Sequence, residues 1–81
     1  MDARTLNGVK MAEDVRAEIV ATVLEVTVNV GDQVGPTDTL VLLESMKMEI
    51  PVHSEYGGTV SEIHVEVGQN IQAGDLIAVL S

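Results

Sequence analysis

The residues best suited to chemistry fall in one octapeptide, Leu43-Glu44-Ser45-Met46-Lys47-Met48-Glu49-Ile50. Lys47 carries a primary amine, which once deprotonated attacks an activated acyl group and forms an amide. It is also isolated, because the basic residues are Arg4, Lys10, Arg16 and Lys47, leaving a single cation in residues 17–81. A lysine kept only to blunt a sheet edge does not explain that isolation or the methionine on either side. Other candidates fail on their own chemistry. Ser45 has no histidine near it in sequence and no G-x-S-x-G context to make it a nucleophile. Glu44 and Glu49 form a carboxylate pair, but an exposed pair lacks the desolvation that would separate an acid from a base. His53 and His64 lack ligand spacing, and by alternation both face solvent, so no metal site is expected.

A lysine that does chemistry needs a platform. Fourteen Val and five Ile among 81 residues supply most of the apolar side chains. Branching at Cβ restricts χ1, which disfavours helix and suits a pleated surface. The run Val26, Thr27, Val28, Asn29, Val30 alternates apolar with polar, and Ile63, His64, Val65, Glu66, Val67 does so again. Period two predicts strands with one buried and one wet face. Gly31-Asp32, Gly57-Gly58 and Gly68-Gln69 supply turn chemistry. The chain reads as all-β with many short strands.

A shift of 37 residues lays Thr22–Glu44 over Thr59–Ser81, with 8 of 23 positions identical. The identities include Val28/Val65, Gly31/Gly68 and Asp38/Asp75, so core, turn and loop positions recur in register. Two similar halves most simply form two similar sheets packed face to face, a small sandwich or flattened barrel with an internal pseudo-twofold repeat. The octapeptide joins these halves and should be a tight hairpin. With Met46 and Lys47 central, Ser45 faces Met48 and Glu44 faces Glu49. Two-residue hairpin turns favour Asn or Gly at positive φ, and this one has neither. Like charges opposite each other add a small cost. Local rules broken together at one place point to function.

Composition narrows the options further. The balance of 4 Lys+Arg and 13 Asp+Glu gives a net charge of −9, which argues against nucleic acid or anionic membrane as partner. Apolar residues make up 46%, too many for an acidic disordered tail. No apolar stretch approaches a membrane span, and the N-terminus lacks the apolar core of a secretory signal. The absence of Cys excludes disulfides, thiolate zinc sites and thiol nucleophiles, and fits a reducing cytoplasm. Residues 1–12 read as a disordered extension, with Met11 able to serve as a start, ahead of one domain over residues 13–81.

Met46-Lys47-Met48, preceded by Glu44-Ser45 and followed by Glu49, resembles the attachment motif of biotinyl domains, the biotin carboxyl carrier family. The likeness extends over roughly residues 15–81, including the two-half layout with the lysine between. The chain is especially similar to small stand-alone biotin carriers of bacteria. That resemblance implies a flattened barrel of two four-stranded antiparallel sheets with Lys47 on an exposed hairpin. It further implies biotin joined by an amide to Lys47, and recognition of Met46 and Met48 by a biotin protein ligase. The commonest form of the motif has Ala where this chain has Ser45. The chain also has no insertion able to form the protruding thumb of some carriers.

The function so implied is that of a non-catalytic subunit, monomeric on its own. It would carry carboxybiotin between the biotin carboxylase and carboxyltransferase sites of an acyl-CoA-type carboxylase. Such a task asks for a long flexible stem on a rigid platform. Exposed lysines are protonated at neutral pH, so the base for attachment is expected from the ligase. Attachment would remove one positive charge, taking the net from −9 to −10. The acidic surface serves solubility or steers the carrier toward basic partner surfaces. Two alternatives stand beside this reading: a lipoyl carrier, whose attachment motif resembles Asp-Lys-Ala, and an unmodified binding module of the same fold.

Overall fold

The computed structural model describes residues 5–6, 9–10 and 12–81. Of the expected extension, residues 1–4, 7–8 and 11 lie outside those described. Within it β1 (Thr5–Leu6) pairs with β2 (Val9–Lys10) in a two-stranded sheet of their own. The remaining strands are β3 (Glu13–Arg16), β4 (Ala21–Val26), β5 (Gln33–Val34) and β6 (Thr39–Ser45), followed by β7 (Met48–His53), β8 (Gly58–Ile63), β9 (Asn70–Ile71) and β10 (Leu76–Leu80). They form two four-stranded antiparallel sheets, ordered β3-β10-β8-β5 and β7-β6-β4-β9. The flattened all-β sandwich expected from the sequence is the observed architecture.

The repeat is longer than the 23 aligned positions suggest. Adding 37 carries β3 onto β7, β4 onto β8, β5 onto β9 and β6 onto β10, so the second sheet repeats the first strand for strand. Backbone hydrogen bonds repeat as well: Gly31 N–H donates to Val60 O at 2.7 Å, and Gly68 N–H to Val23 O at 2.7 Å. The two halves do not each make a sheet, however. Every sheet takes two strands from each half, with the short β5 and β9 crossing to the other half's main hairpin. Exchange of this kind pairs groups on β4 and β8 that would otherwise be open edges.

The alternating runs are also shorter than expected. β4 stops at Val26 and β8 at Ile63. Beyond these ends Val28 and Val65 are buried, whereas Val30 and Val67 are exposed. The chain leaves the sheet there because Thr27 turns to the β6 backbone, its hydroxyl donating to Leu40 O at 2.9 Å. Asp38 and Asp75 recur for a plain reason. Their Oδ2 atoms accept from Gly35 N–H and Gln72 N–H, each at 2.8 Å, and so close the loops before β6 and β10.

The core lies between the sheets. Leu40, Val41 and Leu43 from β6 meet Ile77, Ala78 and Leu80 from β10, all at most 1% exposed. Adjacent residues facing inward contradict strict alternation. Register shifts between Thr39 and Val41 and between Leu76 and Ala78, at equivalent points of the repeat, account for it. Each shift lets two consecutive side chains reach the core. The result is a rigid block with the β6–β7 hairpin projecting from it.

Candidate functional site

Strands β6 and β7 pair from Thr39↔His53 to Ser45↔Met48, with Glu44 opposite Glu49. Met46 and Lys47 alone remain to turn the chain, which is the register expected from the sequence. Both adopt left-handed backbone angles, φ 53° and 65°. Residues with a Cβ meet the following carbonyl there, at a cost of roughly 1–2 kcal/mol each. No glycine or asparagine relieves this turn, so strain is held in place by the two well-paired strands below it.

Solvent surrounds the tip. Met46 is 92% exposed and Met48 64%, both unusual for large apolar side chains. Lys47 is exposed, and among the described residues its ammonium makes no ion pair or hydrogen bond. Glu44 and Glu49 are exposed on the paired strands just behind it, and Ser45 is half-buried. The flanking residues therefore ring Lys47 without engaging it. An amine so presented is free to be acylated and then to sweep a wide arc.

The other candidates stay apart from this tip. His64 pairs with Glu62 at 2.7 Å on the exposed face at the end of β8. His53 lies at the far end of β7, with Nε2 3.5 Å from the Thr39 hydroxyl. Among the described residues no cluster of three or more His, Asp or Glu could hold a metal ion.

Residues 9–80 match a family model for biotin and lipoyl attachment domains, described as biotin-requiring enzyme. The chain belongs to the biotin/lipoyl family. Among its relatives, the biotinylated protein TB7.3 homolog of Mycobacterium leprae is 70% identical over 71 residues, covering 88% of this chain and all of that one. The homolog of Mycolicibacterium smegmatis is 76% identical over 70 residues, covering 86% and 99% of the two chains. Among solved structures, the Kluyveromyces lactis urea carboxylase superposes with a TM-score of 0.83 at 28% identity. That match covers all of this chain and 7% of the carboxylase. The lipoyl domain of the Azotobacter vinelandii 2-oxoglutarate dehydrogenase complex superposes at 0.67 with 21% identity, over 83% of this chain and 95% of that domain, a likeness of fold alone.

One feature of this family member was not read from its sequence. Arg16, Glu18, Ile19, Leu43 and residues 50–53 line a groove of about 330 Å³ along the β7 edge. Its signal lay in the mismatches of the repeat, once the shift is extended back to lay Glu13 on Ile50 and Ala17 on Ser54.

Proposed function

We propose that this chain is a biotin carrier. Biotin is joined by an amide to Lys47 and serves to carry a carboxyl group between two active sites on other proteins. The observation that supports this most directly is the geometry of the tip, where Lys47, with no partner among the described residues, stands between exposed Met46 and Met48 on a strained two-residue turn. The biotinylated relatives at 70% and 76% identity support biotin as the group carried. Methionine on both sides of the lysine favours biotin over lipoate, a choice on which the shared fold is silent.

The residues present suit this cofactor. Lys47 offers the free amine that amide formation requires, and its four methylenes add a flexible stem to a hairpin that is itself fixed by six paired positions. In attachment, Nζ forms the new C–N bond as the leaving group of the activated acyl departs, and a proton passes from Nζ to a base. Among the described residues none pairs with Nζ to act as that base, so a biotin protein ligase supplies it. Met46 and Met48 give the ligase two large apolar side chains to grip, at no cost in desolvating this protein's own core. The proposed partners after attachment are the biotin carboxylase and carboxyltransferase subunits of an acyl-CoA-type carboxylase, in the cytoplasm. The chain itself performs no catalysis in this scheme.

Intact mass provides the test. Co-expression with a functional biotin protein ligase should add the mass of one biotinyl group, and Lys47→Arg should abolish the gain while leaving the thermal midpoint unchanged. A lipoyl mass, or no gain beside an active ligase, would sink the proposal. Co-purification of the biotinylated chain with carboxylase subunits checks the partners.

A further inference from the structure

The pseudo-twofold repeat diverges where the chain crosses between the sheets. Residues 54–57 carry the chain from β7 to β8 across the gap between the sheets, and residues 17–20 do the same from β3 to β4. In the 54–57 crossing the donors are taken up by side chains. The Glu13 carboxylate accepts from Glu55 N–H at 2.7 Å and Tyr56 N–H at 3.3 Å, and Ser54 Oγ accepts from Gly57 N–H at 2.7 Å. In the 17–20 crossing Ile50 stands where Glu13 would, and Ala17 where Ser54 would. Among the described residues, the amides of Glu18 and Ile19 consequently make no hydrogen bond.

Glu18 and Ile19 also line the groove already described. Its apolar lining comes from Leu43, Ile50, Pro51 and Val52, and Arg16, Glu18 and His53 supply polar groups. By the symmetry of the repeat, a group seated there would present an acceptor oxygen to two adjacent amides, as the Glu13 carboxylate does in the other half. An acidic lining residue beside those amides disfavours a simple anion and suits a group with both an acceptor and N–H donors. The ureido ring of biotin has that combination, one carbonyl oxygen flanked by two N–H groups, on an apolar bicycle.

Reach extends to the groove at Ile50. Ile50, on β7, lies three residues beyond Lys47 at the turn, at most about 10 Å away at ~3.3 Å per residue. Eleven bonds separate the Cα of a biotinylated lysine from the biotin ring, and at roughly 1.25 Å of advance per bond they span about 14 Å.

We infer that the groove between the 17–20 crossing and β7 is a resting site for the biotin head group on its own carrier, with the ureido oxygen on the Glu18 and Ile19 amides. This rests on the biotin-carrier reading and extends it. A docked head group is shielded between visits to partner enzymes, and the docking must be weak enough to release it. Ile50 is then a specificity-determining residue, because a glutamate there would cap the amides itself and close the site.

Amide hydrogen exchange, read by two-dimensional NMR on the unmodified and biotinylated full chain, tests this with mass spectrometry as control. A head group docked ten times as often as it is free slows exchange at Glu18 and Ile19 about tenfold. Their resonances should move on biotinylation together with those of residues 46–48. In biotinylated Ile50→Glu, provided its spectrum remains that of a folded sandwich, the biotin-dependent change at Glu18 and Ile19 should vanish. Modified protein with changes confined to the tip in the wild-type chain would overturn the resting site and leave the carrier reading intact. No biotin mass with an active ligase would remove both.

Discussion

If Lys47 is the attachment residue, as proposed, the protein asks little of it beyond exposure. Among the described residues nothing pairs with its amine, and the turn that presents it has a poor sequence for stability. The left-handed angles at Met46 and Lys47 cost what an Asn-Gly pair would avoid. Replacing the pair, as Met46→Asn with Lys47→Gly, should therefore stabilise the domain by about 1–2 kcal/mol in urea denaturation while abolishing modification. A destabilised double variant would mean that the turn is not strained. Met46→Leu and Met48→Leu separate recognition from folding in the same way. Both side chains are largely in solvent, so each change should slow biotinylation by a ligase and shift stability by no more than about 0.5 kcal/mol. Unfolding on either change would contradict an exposed tip.

At the scale of strands and loops, the fold repeats devices rather than residues. The aspartates before β6 and β10 each close a loop by accepting one backbone N–H at 2.8 Å. Asp38→Ala and Asp75→Ala should each lose about 0.5–1.5 kcal/mol, and by similar amounts, since each removes one hydrogen bond from an equivalent loop. Chemical denaturation of both variants would show an inequality if one loop mattered more. The crossings between sheets are where the devices diverge. Gly57 sits at φ 77° with Val34 O 2.8 Å from where a Cβ would stand, so its crossing requires glycine. The equivalent Val20 is 67% exposed and belongs to the crossing that leaves its amides open.

For the whole molecule, the exchange of strands between halves ties each repeat to the other, so each half has only a two-stranded pair of its own. Core truncations at equivalent positions should then be felt alike. Val28→Ala and Val65→Ala, from 9% and 6% exposed sites, should each destabilise by about 1–3 kcal/mol with one cooperative transition. Clearly unequal losses, or two transitions, would mean that the halves are not energetically equivalent. Rigidity at this scale also serves the proposed task, because a stiff block with one projecting hairpin confines motion to the lysine stem.

The sequence by itself determined the all-β class, the 37-residue repeat, the register of the β6–β7 hairpin and the lysine at its tip. These follow from local rules: Cβ branching, period two, turn chemistry, and a motif contained in six consecutive residues. Two other matters were decided only in three dimensions. Which half supplies which strand depends on long-range pairing, and local pattern is the same whether β5 returns to its own hairpin or crosses to β8. The groove beside β7 lies where Ile50 takes the place of the carboxylate that, in the other half, reaches 42 positions along the chain from Glu13 to Glu55. Neither partner signals the other in sequence, because a side-chain cap across two sheets exists only after those sheets have packed.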